Sequence, residues 1–326
     1  MFTIVSIALA LFFAFFRDQS PPSENAAVIM TALGGLLLIL SGLAVMLSYI
    51  PLQAAQQTIS SRLLSIYRKD NFLFYSFLGV LAFAFASIIL AIVRPTYTLS
   101  LWLIAMGVAF DLFTMIIRRT LYFLDAFQVV KIFTNDARKS IENNKELELC
   151  DNVDALSEMA IGSIKRNNTS LGNEAISEMR HIARIFLESY KSIGHVEGTE
   201  ELKKLGIKDT VEYILFYILQ RFEMIFNHAL ETRLETVCSA IITALGQTTI
   251  SAAKYDISMT TYPLHFLSRL ALKAQELGFQ ELAVKASLTI VEIAKTIISE
   301  KNVAYMELQP SFLSMINTLD AIAKET

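Results

Sequence analysis

Two runs of this chain, residues 26–50 and residues 71–93, contain no charged side chain over a length that can cross a bilayer. A hydrocarbon layer about 30 Å thick is crossed by about 20 helical residues rising about 1.5 Å each. No water reaches the backbone N–H and C=O groups there, so such runs must fold as helices. Residues 96–117 form a third run, interrupted only by Asp111 and closed by Arg118-Arg119. Residues 2–16 are apolar too but cover only roughly 22 Å as a helix. That segment has no Lys or Arg ahead of it, and its small-residue site Ala8-Leu9-Ala10 lies in mid-run. It therefore reads as a retained short span rather than a cleaved signal peptide.

The expectation is a four-helix transmembrane bundle over residues 1–117, with spans near 2–16, 26–50, 71–93 and 96–117. Composition agrees: 54% of the 326 residues are hydrophobic and 18% charged, too apolar for an ordinary soluble domain. Only 12 Gly and 6 Pro are present, and β-structure needs turns rich in both, so the fold class is all-α.

Loop charges set the orientation, because Lys and Arg are retained on the cytoplasmic side. Arg62, Arg68 and Lys69 lie between the second and third spans, and Arg118 and Arg119 follow the fourth, whereas the loops at 17–25 and 94–95 hold one Arg each. This predicts a multi-pass protein of the cell or inner membrane with both termini cytoplasmic. Small residues recur in the spans, among them Gly34, Gly35, Gly42, Gly79, Ala82 and Ala86, and allow close helix approach within a bundle.

Asp111 is the one ionisable residue inside a predicted span. A carboxylate in lipid costs on the order of 3 kcal/mol, so it must face the bundle or a polar cavity. Thr114 and Arg118 share its helix face at one and two turns, and the three form a candidate intramembrane polar site. One reading is a structural hydrogen bond or shallow ion pair; the other is an ion or proton path.

Beyond the spans, residues 118–150 contain no Pro or Gly and predict a linker helix continuing the last span, one helix running from about 98 to 142. Residues 151–326 form a soluble helical domain. Within it, residues 156–187 align without gaps to 267–298 with seven identities, including Leu156/Leu267, Leu171/Leu282 and Ala175/Ala286. Each unit reads as two helices joined by a polar loop, and such pairs bury their faces only by stacking, as in α-solenoids. Residues 211–226 read as a buried central helix, and residues 194–209, with three glycines, as a break between subdomains.

The search for chemistry returns little. His181, His195, His228 and His265 are isolated from one another, and HExxH, paired CxxC, calcium-loop and glycine-rich phosphate patterns are all missing, so neither a metal nor a cofactor is expected. Cys150 and Cys238 read as reduced core thiols. Five of the 28 Lys/Arg and four of the 31 Asp/Glu lie in residues 1–117, leaving a mildly acidic remainder of 23 basic and 27 acidic residues with no stripe for nucleic acid. The expected function is noncatalytic: a membrane-anchored helical scaffold or accessory subunit that docks cytoplasmic partners or self-assembles. The alternative is an oligomeric channel or transporter subunit using Asp111.

Overall fold

A computed structural model describes residues 2–7, 24–58, 60–63, 67–68, 70–93, 98–193, 210–299 and 305–325. Among these the fold is all-α, without a strand. Residues 8–16 of the short first span, and the break expected at 194–209, lie outside the described residues. The chain divides into two compact units, one of residues 1–57 and 62–125, the other of residues 58–61 and 126–326.

The first unit contains a helical segment at residues 2–7, then α1 (Glu24–Thr58), α2 (Asn71–Val93) and α3 (Thr98–Leu124). The helix α1 has 35 residues and carries on through Pro51, where the sequence suggested a loop. Leu52 and Ala55, buried in the turns after the proline, keep its end packed. Met30, Leu37, Phe83, Ala84 and Trp102 form the centre of the unit's core. Of the small residues, Gly34 marks a close approach of α1 to α2: a Cβ there would lie 3.0 Å from Ser87 Cβ and 3.1 Å from the Ala84 carbonyl oxygen. Gly35 and Gly42 face open space, and Ala82 and Ala86 are exposed. The Trp102 indole N–H donates to Ser87 Oγ at 3.0 Å, and that hydroxyl donates to the Phe83 carbonyl at 2.9 Å, so the buried polar atoms are satisfied among themselves.

The second unit runs through α4 (Ala126–Glu142), α5 (Glu146–Lys165), α6 (Thr169–Ile193), α7 (Thr210–Glu231), α8 (Glu235–Tyr255), a short 3₁₀ turn (Ile257–Thr260), α9 (Thr261–Glu276), α10 (Gln280–Ser299) and α11 (Tyr305–Glu325). Helices pack in two rows, α4, α6, α8, α10 in one and α5, α7, α9, α11 in the other, each also touching its chain neighbours. The expected continuous helix over 118–150 is corrected here. The last predicted span runs on to Leu124, Asp125 interrupts it, and a second break at 143–145 separates α4 from α5. Aspartate is favoured immediately before a helix start, so a single Asp suffices to divide a Pro- and Gly-free run.

Four connections share one geometry. In each of the loops 143–145, 166–168, 232–234 and 277–279 the middle residue has positive φ: Asn144 52°, Asn167 56°, Arg233 55° and Gly278 84°. The middle N–H bonds the carbonyl three residues back, and the next N–H bonds the carbonyl five residues back, as in Gly278 to Gln275 and Phe279 to Ala274. This is the Schellman arrangement, which satisfies the carbonyls left open at a helix end. Asn167 and Gly278 occupy the same position in the ungapped sequence match. Arg233 supplies the equivalent position between α7 and α8, a pair that the match does not include. Leu171 and Leu282 are both buried, 2% and 3% exposed, as the match requires.

Among the described residues, three helical stretches are long and apolar enough to cross a membrane: α2, Ser100–Leu124 of α3, and α8, with Ala27–Leu43 a shorter apolar stretch. The last of the three was not foreseen. In α8, 56% of the apolar window is buried inside the protein, against 33% in α2 and 22% in α3. A helix apolar on most sides is explained by burial within a stack as well as by lipid, and α8 touches α6, α7, α9 and α10. In α2 and α3 the large side chains point outward instead, Phe74, Tyr75, Phe85, Ile92 and Leu101 among them.

Candidate functional site

Asp111 lies on the inner face of α3, where its carboxylate receives the first residues of the chain. The Phe2 N–H donates to Oδ1 at 3.1 Å, and the Thr3 N–H and hydroxyl donate to Oδ2 at 2.9 and 2.5 Å. One turn earlier, Gly107 makes the approach possible: a Cβ there would lie 2.6 Å from Ser6 Cβ and 3.0 Å from Thr3 Cα. The Phe2 and Phe110 rings add a contact at 5.9 Å between centroids. Thr3 next to Asp111 and Ser6 next to Gly107 make the 2–7 segment antiparallel to α3.

The predicted trio is therefore not a cluster. The Thr114 hydroxyl donates to the Phe110 carbonyl at 2.9 Å within its own helix, and Arg118 is exposed. The first N–H groups of a helix have no partner in the helix, and an anion is favoured at that end by the macrodipole. Asp111 meets both needs. The sequence reading takes the partners of Asp111 from its own helix, because no local pattern links residue 111 to residues 2 and 3.

A second polar cluster sits where α2 begins. Asp70 Oδ1 accepts the Phe72 N–H at 3.0 Å and the Leu73 N–H at 3.3 Å, capping α2, while Oδ2 accepts from Arg119 Nε at 2.8 Å. The Arg119 guanidinium lies 5.3 Å from the Tyr122 ring centre and 5.1 Å from that of Phe123, and Tyr67 meets Phe123 edge-on. Arg119 had been read only as a topology signal; its pairing with Asp70 joins residues 49 positions apart and is invisible to spacing rules.

The second unit holds its polar groups between neighbouring helices of a row. On α7 and α5, Arg221 Nε donates to Asp154 Oδ1 at 2.5 Å, the Tyr217 hydroxyl donates to Oδ2 at 2.7 Å, and Arg221 stacks 4.5 Å from the Tyr217 ring centre. Arg269 of α9 pairs with Glu223 of α7, repeating the cation-to-acid link one step along the row. Burial, reinforced by its bond to Asp154, pushes the Tyr217 phenol up to about 12. Burial and then the nearby Asp154 and Asp151 charges push the Cys150 thiol to about 12. A thiol held neutral is a poor nucleophile, and both oxygens of Asp154 are engaged, so the cluster acts as a clamp between helices. No group of three or more metal-ligating side chains occurs among the described residues.

Glu158 of α5 accepts hydrogen bonds from Ser60 Oγ at 3.1 Å and from the Ser61 N–H at 3.1 Å, which brings the connection after α1 into the second unit.

No family model and no curated protein matches this chain. Among solved structures it is similar to a "circular tandem repeat protein with novel repeat topology and enhanced subunit contact surfaces", with 15% identity over 93% of this chain and 72% of that one and a TM-score of 0.41, a likeness too loose to define the fold.

Proposed function

We propose that this protein is a membrane-anchored helical scaffold: the first unit holds it in the bilayer, and the second presents stacked helices to protein partners or to further copies on the cytoplasmic side. The observation that carries this reading is the contrast between the two units. The helices α1 to α3 turn large apolar side chains outward along their lengths, whereas the second unit gathers them between two rows and bridges neighbouring helices with ion pairs. Exposed apolar surface on that scale is stable only when something apolar covers it, and a span-length helix is covered by lipid.

In this reading residues 2–16 are the first of four spans. At the start of this segment the Asp111 carboxylate accepts from the Phe2 and Thr3 N–H groups. The segment's antiparallel course against α3 and the bonds from Ser60 and Ser61 to Glu158 both support cytoplasmic termini. The loop between the second and third spans then lies on the side of the helical domain.

The competing channel reading needs an Asp111 carboxylate available to ions, and the donors from Phe2 and Thr3 speak for a structural one. Purified protein reconstituted into vesicles is expected to carry no ion flux. In native membranes it is expected to resist alkaline carbonate extraction and, in mild detergent, to co-purify with stoichiometric protein or with itself. A conductance that disappears in Asp111→Asn would replace the scaffold by the channel.

A further inference from the structure

The seam between α4 and α6 holds three nitrogen-bearing side chains that cannot satisfy one another. Arg138 Nη2 of α4 lies 3.1 Å from His181 Nε2 of α6, and Arg184 Nη2 lies 3.2 Å from His181 Nδ1. A guanidinium only donates, and a neutral imidazole has one accepting nitrogen. In either tautomer, therefore, one of the two contacts sets an N–H against an N–H, and protonation of the ring does so at both. Arg184 has a partial remedy in Glu188 at 3.4 Å, one turn along its own helix. Arg138 has no carboxylate partner among the described residues, and Asp136 near it pairs with Lys139 instead. Both guanidiniums are exposed and the imidazole between them is half-buried, so a ligand can reach all three.

What the cluster lacks is an acceptor. A phosphate monoester supplies one: it carries nearly two negative charges and three acceptor oxygens, and the guanidinium fork donates to such oxygens in pairs. A carboxylate, with one charge and two oxygens, answers the two arginines less completely. The surroundings favour a single phosphate over an anionic membrane surface. Glu142 of α4 and Glu178 and Glu188 of α6 each lie about one helical turn from the cluster, and the chain beyond residue 117 is net acidic. A sheet of negative headgroups would face those acids. A phosphate carried on a protein segment with lysines beside it would meet arginine and glutamate in register.

We infer that Arg138, His181 and Arg184 form a binding site for a phosphorylated, lysine-flanked segment of a protein partner. This rests on the scaffold reading and specifies the chemistry of what the scaffold docks. Full-length protein in mild detergent is titrated into a fluorescent peptide with one phosphoserine between lysines, and anisotropy is read. Saturable binding is expected, with the unphosphorylated peptide about tenfold weaker or more. Arg138→Gln and Arg184→Gln should each weaken the phosphopeptide about tenfold, with helical circular dichroism unchanged, and Arg138→Lys should fall between because it keeps the charge but not the fork. Lys131→Gln, on α4 outside the cluster, should bind as wild type does. A phosphopeptide that does not bind, that binds no better than its unphosphorylated form, or that binds Arg138→Gln equally would overturn the site. Inorganic phosphate or a short-chain phosphatidylinositol phosphate that displaces the peptide at equal or lower concentration would overturn the protein partner, in favour of a free anion or a lipid headgroup. Carbonate extraction and co-purification test the scaffold separately, so a wild type that is anchored and co-purifies with protein yet ignores the phosphopeptide rejects this site alone.

Discussion

At the residue scale, Gly107 and Asp111 form one device, a gap and an acceptor one turn apart. In Gly107→Ala the new methyl meets the Thr3 backbone, which has no rotamer with which to give way, so the first helix must shift. Asp111→Leu removes the acceptor of the Phe2 and Thr3 N–H groups and of the Thr3 hydroxyl together. Asp111→Asn keeps one carbonyl acceptor and is expected to dock the helix more weakly but in the same place. A cysteine pair at Phe2 and Phe110, whose rings are 5.9 Å apart, reports all three. Cross-linking should be efficient in the parent, reduced in Asn, and largely lost in Ala and Leu. Equal yields in all four would refute the docking role. At Asp70, alanine removes a helix cap and the acceptor for Arg119 together, and a loss of about 1–2 kcal/mol is expected from the cap alone.

At the level of the elements, the repeated loops give opposed predictions. Left-handed backbone costs a side-chain-bearing residue roughly 1–2 kcal/mol, more for Arg than for Asn, and glycine avoids it. Arg233→Gly is therefore expected to raise the melting temperature of the helical unit, whereas Gly278→Ala should lower it through strain at φ 84°. Inverse shifts would mean that the loops do not share the geometry described. Leu171→Ala and Leu282→Ala should each cost about 2–5 kcal/mol by lost burial and cavity formation, a matched pair if the two helices play equivalent parts. Legibility in the sequence followed locality. The Asn167–Gly278 correspondence came from an ungapped alignment, while the α7 and α8 pair escaped because its buried positions use different side chains, Phe222 and Ile225 where the other pairs have Leu and Met.

For the whole molecule, topology and alkaline stability can be checked. A reporter after Thr326, and a thiol placed at Ser170, are expected to be reached only from the cytoplasm. Labelling from outside intact cells would invert the orientation drawn from Arg62, Arg68 and Lys69. The two native thiols are buried and should stay unreactive until the protein unfolds. Cys150 is raised from 9.0 to about 12 and Tyr217 from 10.0 to about 12. As pH rises past 9 the unfolded chain loses these protons while the folded chain keeps them. The contribution is thus complete below pH 9 and declines between about 9 and 12. Denaturant midpoints should fall across that window, and Cys150→Ser should flatten its lower part; a midpoint that rises would refute the assignment.

Hydrophobic runs, loop charges and helical periodicity are local quantities, so the all-α class, the apolar character of residues 26–50 and 71–93, and the 156–187 match to 267–298 could be read directly along the chain. Contacts between distant residues could not. Asp111 finding Phe2 and Thr3, Asp70 finding Arg119, and Glu158 finding Ser60 and Ser61 depend on which helices lie side by side, and nothing in the spacing of those residues encodes it. The apolar stretch of α8 belongs with them. Composition alone makes it a span, and only its burial among α6, α7, α9 and α10 makes it part of the stack, because lipid and a protein interior accept the same side chains.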